Sequence, residues 1–136
     1  MPPEKPSPGS VADWLRRARS DLSLASIALP RDVLYNELCF HAQQAVEKSI
    51  KAVLVHHKIE FHKVHDIDYL MTLLPPHVSA PPEAEEIAEL TSYAVMFRYP
   101  GDYEDVTEEE YQWALHAARS VYAWAERIAG GATANP

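Results

Sequence analysis

From Asp32 to His57 the chain contains no glycine and no proline. Over that stretch Leu34, Leu38, Ala42, Ala45, Ser49 and Ala52 recur at steps of three and four, with Val53 beside them. That spacing puts side chains on one face of an α-helix. With Asp32 as its N-cap, the segment predicts a helix about 38 Å long at about 1.5 Å per residue. A helix with one long apolar stripe has to be covered by other elements. No segment shows strand-type alternation of useful length, and there is no internal repeat, so the cover is expected to be helical.

The flanking segments supply it. Ser10 precedes a first helix with Asp13 three residues on, a capping box with a shorter acid. Trp14, Ala18, Leu22, Ala25 and Leu29 form its apolar face, and Pro30 is its expected end. His65 or Asp66 opens a short helix that Pro75 and Pro76 stop. A fourth long element is expected over residues 83–97, with Pro82 in a first-turn position and Ile87, Leu90, Ala94 and Phe97 on one side. Thr107 and Glu110 make a capping box for the last helix, whose stripe is Tyr111, Leu115, Ala118, Tyr122 and Ala125. Trp113, Ala117 and Trp124 lie beside that stripe and imply a second apolar surface, as dimerisation would need. The expected fold is all-α: an antiparallel up-and-down four-helix bundle with one additional short helix. The bundle should span residues 10–129, between a proline-rich arm at 1–9 and a small polar tail at 130–136.

Twelve Lys and Arg against twenty Asp and Glu give a formal charge of −8 over 136 residues. That balance disfavours non-specific nucleic-acid binding. Cys39 is the single cysteine, which excludes an intramolecular disulfide and a thiolate zinc cluster. No apolar run is long enough for a membrane span, so no membrane association is expected, and a reducing cytoplasm fits best.

Four groups of residues could carry chemistry. His41, Gln44, Lys48 and Lys51 share one helical edge and could bind a phosphate-bearing ligand or an acidic partner. The plainer reading is a solvated edge with Glu47 and Lys51 as a routine pair. His56, His57, His62 and His65 crowd into ten residues, but adjacent imidazoles point apart on a helix, so neither a metal nor a cofactor is expected. Cys39 sits among apolar residues and reads as packing. The stretch FRYPGDYED at 97–105 joins two helices. Its Pro-Gly pair is a turn signal, and Arg98 suits a helix C-terminus. Arg98 beside Tyr99, Asp102 and Tyr103 equally suits recognition of a phosphate or base.

Several of these stretches together resemble a known family. They are Trp14 with Ala18 and Asp21-Leu22, CFHAQQAVEKSIKAVLV at 39–55, His65-Asp66 ahead of Leu70, and Tyr93 followed by RYPGD at 98–102. The pattern is similar to the HEPN domain (higher eukaryotes and prokaryotes nucleotide-binding) over about residues 12–128. The resemblance implies a helical bundle that dimerises and pairs with a minimal nucleotidyltransferase, often as a toxin–antitoxin module. It also implies, in many members, a metal-independent ribonuclease built on an arginine followed, after four to six residues, by a histidine. This chain departs from that signature, because the permitted positions after Arg98 hold Tyr103, Glu104 and Asp105. No other arginine has a histidine at that separation. The missing imidazole is the natural general base near neutral pH.

The expected function is therefore a non-catalytic module that binds a nucleotide or a nucleotidyltransferase partner. Arg98, Tyr99, Asp102, Tyr103, Lys48, Gln44 and His41 would line its ligand site, and no residue is assigned a catalytic role. The alternative is a ribonuclease toxin with a degenerate centre.

Overall fold

The first helix begins where the sequence places it. Ser10 is extended and its hydroxyl accepts from the Asp13 amide at 3.2 Å, while Asp13 accepts from the Gly9 amide at 3.0 Å. The reciprocal bond of the capping box thus reaches one residue further back than expected. The structure, a computed structural model, describes residues 5–92 and 104–131.

Among the described residues five α-helices form in order: α1 (Val11–Ala25), α2 (Tyr35–His56), α3 (Ile67–Thr72), α4 (Ala84–Ile87) and α5 (Glu108–Ala125). A 3-10 turn, Ala88–Leu90, continues α4, and a π-helical turn, Glu126–Gly130, continues α5. No strand occurs among the described residues. The architecture is an all-helical bundle in which α2 packs mainly against α1 and α5.

Several expected boundaries shift, each for a visible reason. Helix α1 stops at Ala25, five residues before Pro30. The Tyr111 hydroxyl donates to the Ala25 carbonyl, and the Ser26 hydroxyl donates to the Leu22 carbonyl, so the last turn is satisfied by side chains. Asp32 does not cap α2: its φ is 67°, and Leu34 holds the cap position without a side-chain bond. Helix α2 accordingly has 22 residues and a length of about 33 Å. The element after Pro82 does not form the expected single long helix within the described residues. Glu83 turns left-handed at φ 58°, leaving Pro82 outside the first turn, and only four α-helical residues precede the 3-10 turn. Asp66 caps α3 through the Tyr69 amide, and the Thr107–Glu110 capping box closes as expected.

Helix α2 is enclosed on more than one face. Leu38, Cys39, Ala42, Val46, Ile50, Val53 and Leu54 are all buried, and α1 and α5 contribute Leu15, Ala18, Leu115, Val121 and Trp124. Of the second apolar face of α5, Ala117 and Trp124 are buried within the chain, while Trp113 stays partly exposed. The Trp124 indole is 2% exposed and its Nε1 donates to the Ser79 carbonyl at 2.9 Å, so the loop after α3 covers it. Asn36 ties the start of α2 to the start of α5 by accepting from the Val106 amide at 2.9 Å.

Candidate functional site

The edge formed by His41, Gln44, Lys48 and Lys51 is divided between two polar clusters, and neither is a solvated surface. In the first, Asp21 of α1 reaches across to α2. Its Oδ1 lies 2.9 Å from His41 Nδ1, and its Oδ2 accepts from Lys48 Nζ at 2.6 Å. Asp21 is buried, which a carboxylate tolerates only when paired. The pairing commits His41 Nδ1 and leaves a ring whose side chain is 31% exposed. Lys48 is held at the seam by the same carboxylate.

The second cluster centres on Glu47, which is 1% exposed. Its carboxylate receives His65 Nδ1 at 3.0 Å to each oxygen, Lys51 Nζ at 3.4 Å and Gln43 Nε2 at 3.4 Å. Gln44 donates to Gln43 Oε1 at 2.7 Å, completing a chain of amides behind the carboxylate. The Lys51 ammonium also sits 5.1 Å from the Trp14 ring centre and 5.6 Å from that of Phe61. Two ring faces and a carboxylate replace the water a buried ammonium loses. This cluster fastens the segment before α3 onto the middle of α2.

The structure thus brings His41 and Lys48 together on Asp21 and turns Gln44 towards Gln43. Arg98, Tyr99, Asp102 and Tyr103 lie outside the described residues. Asp21, Gln43, Glu47 and His65 carry more of the polar architecture than spacing indicates. Asp21 and Glu47 did leave a trace in the sequence. Each is an acid set within an apolar helical register, between Ala18 and Ala25 in one case and between Val46 and Ile50 in the other.

The family of this fold is decided by its sequence profile. The model of the HEPN domain matches residues 11–128. The chain belongs to the HEPN domain family. Among solved structures, this HEPN chain is similar to TT1696 from Thermus thermophilus, with a TM-score of 0.76 and 29% identity. That similarity covers 87% of this chain and 97% of the other. It also resembles ST0689, an archaeal HEPN homologue, with a TM-score of 0.53 and 27% identity over 92% of this chain and 96% of that one. A curated Methanocaldococcus jannaschii protein named "Putative toxin MJ1304" is 29% identical over 133 residues, covering 79% of this chain and 80% of its own length.

Within the HEPN bundle the remaining reactive groups are placed against chemistry of their own. Cys39 is fully buried, and burial pushes its thiol up to about 12, so it stays protonated and unreactive. No group of three or more His, Cys, Asp or Glu among the described residues is arranged to hold a metal ion. No helix among them is long and apolar enough to cross a membrane. A cleft of about 400 Å³ between α1 and the π-helical turn is lined by Arg16, Arg19, Tyr122 and Glu126. Arg16 is bonded there to Asp13 at 2.9 Å, and Glu126 opposes an anion.

At the end of α2, His56 and His57 meet each other edge to face, and His57 meets His77 of the loop after α3 in the same way. The His57 ring lies 5.0 Å from His56 and 5.5 Å from His77, and its Nε2 is buried with no hydrogen-bond partner. Burial first, then the neighbouring imidazoles, hold His57 below its ordinary 6.5. A histidine depressed in the folded state takes its proton first in the unfolded chain. Stability is therefore expected to fall as pH drops below about 6.5 and to level off once native His57 is also protonated. His57→Gln should flatten that part of the curve. Urea midpoints between pH 7.5 and pH 5 measure it, and an unchanged slope would count against this role.

Proposed function

We propose that this chain is the HEPN component of a toxin–antitoxin-like pair. In this reading it works in the cytoplasm as a homodimer, binding a nucleotide or a partner nucleotidyltransferase and leaving RNA uncut. The observation that carries the reading is the HEPN match over residues 11–128 in a chain where no arginine is followed by a histidine after four to six residues. The related protein whose name designates a toxin supports the two-component setting. The ligand groove would be built from Arg98 for phosphate, with Tyr99 and Tyr103 to stack or donate and Asp102 at the rim. His41 and Lys48 would form the wall, with the buried Gln44 behind them on Gln43. Lys48 and His41 would meet an anion already bridged to Asp21, so that the carboxylate sets their positions and tempers their charge.

Two measurements test this reading. Titration with nucleoside triphosphates should give saturable binding that Arg98→Ala weakens at least tenfold. Co-expression with an adjacent nucleotidyltransferase should give a complex that survives purification. Absence of both would overturn it.

A ribonuclease with a degenerate centre is the second reading. It is favoured by the two carboxylate-held imidazoles, Asp21–His41 and Glu47–His65. In each pair Nδ1 is committed and the ring stays open, with side-chain exposures of 31% for His41 and 55% for His65. That arrangement orients a general base. Growth arrest on expression that requires Arg98, and is lost in His41→Gln or His65→Gln, would favour it.

A further inference from the structure

The large aliphatic side chains that stay exposed among the described residues are gathered at one end of the bundle. Leu24 is 44% exposed, Ile27 42%, Leu29 39% and Leu34 50%. Leu24 ends α1, Ile27 and Leu29 lie in the connection, and Leu34 is the N-cap residue of α2. Scattered surface leucines need no explanation, but four within eleven residues of one connection do.

The group stands on a rigid base. The Tyr111 hydroxyl holds the Ala25 carbonyl, and the rings of Tyr35 and Tyr111 stack at 5.0 Å. The Ile27 amide bonds back to the Leu24 carbonyl, the Val33 amide to that of Pro30, and the Glu37 amide to that of Leu34. The apolar group is therefore presented by a braced connection.

Its surroundings are acidic. The Asn36–Val106 and Tyr111–Ala25 bonds bring the start of α5 against this turn. Residues 24–37 and 104–110 together hold seven carboxylates against one cation, Arg31, which is −6 of the chain's formal −8. Asp32 and Glu37 lie on the α2 side, and Glu104, Asp105, Glu108 and Glu109 lie on the α5 side. An apolar centre with a charged rim is the layout of a protein–protein interface.

We infer that this apolar knob with its acidic rim docks a protein partner whose surface has an apolar pocket ringed by lysine or arginine. The rim discriminates against other occupants. A second copy, related by a two-fold axis, would set two acidic rims against each other. RNA phosphates and anionic lipid headgroups meet the same repulsion. Any dimerisation of the chain is assigned by this inference to another face. The inference specifies the partner half of the proposed function and rests on it, while leaving the nucleotide half untouched.

Site-specific photo-crosslinking in producing cells tests it. A photoreactive residue replaces Leu34 in the full chain, with exposed Lys63 as the control position. The expected result is an adduct at position 34 and not at 63. Its partner peptide, sequenced by mass spectrometry, should carry Lys or Arg within a few residues of the linked side chain. Glu104→Lys with Asp105→Lys, two exposed positions before α5, should cut the yield at least tenfold at an unchanged thermal midpoint.

An adduct of twice the chain's mass, an adduct destroyed by ribonuclease, a yield indifferent to charge reversal, or no adduct would each overturn the inference. If a nucleotidyltransferase still co-purifies while position 34 gives no adduct, the surface is wrong and the proposed function stands.

Discussion

Glu47→Ala is expected to lower the unfolding free energy by about 3–5 kcal/mol, the range for breaking a buried ion pair by removing one partner. The carboxylate is 1% exposed and is the acceptor for Lys51, His65 and Gln43 at once. Its removal leaves the Lys51 ammonium, itself 6% exposed, facing two aromatic rings without a counter-charge. It also frees the segment before α3, because His65 is the side chain that crosses to α2 there. Urea unfolding measures the loss, and hydrogen exchange should show α3 losing protection before α1 or α5. Pairing Glu47→Leu with Lys51→Met should recover much of the stability, since an apolar pair needs no compensation. A loss below about 1 kcal/mol for the single change would mean that water reaches the cluster.

Asp21→Ala should cost less, about 2–3 kcal/mol, although the same logic governs it. Lys48 and His41 lose their shared acceptor, but their side chains are 23% and 31% exposed and can partly rehydrate. The effect should concentrate on docking of α1, because this bridge joins residues 20 and 27 positions apart in sequence. A double-mutant cycle of Asp21→Ala with Lys48→Met isolates the pair, with a coupling of about 1–2 kcal/mol expected. That coupling should hold at high salt because the carboxylate is buried. A coupling that disappears in salt would assign the bridge to the surface.

Much of the fold is legible in the sequence because capping and helical spacing are local effects. Ser10, Asp66 and Thr107 each bond an amide three residues on, and such short contacts can be read from identity and distance along the chain. What escaped was set across the bundle. Pro30 looked like the stop of α1, yet the hydroxyl of Tyr111, 86 residues away, meets the carbonyl at Ala25 first. Asp32 looked like a cap, yet the turn draws it to a positive φ and starts α2 three residues later. Trp124, on the apolar face read as a second surface, is covered by a loop whose Ser79 lies 45 residues away, while Trp113 beside it stays partly exposed.

The polar stripe of α2 was visible as a stripe, but its partners were not. Asp21 and His65 come from other segments, and spacing cannot pair residues 18 or 20 positions apart. Of the proposed ligand residues, His41, Gln44 and Lys48 were found on structural bridges, while Arg98, Tyr99, Asp102 and Tyr103 fall outside the described residues.

The bond from Tyr111 to the Ala25 carbonyl has an evolutionary consequence. Because α5 fixes where α1 stops, the nine residues from Ser26 to Leu34 are relieved of any duty to end a helix. They can drift in composition and even in length while the bundle beneath them keeps its register. If the inferred docking surface is the one used, a lineage could change its partner by rewriting one short connection, and that part could diverge faster than the part that folds.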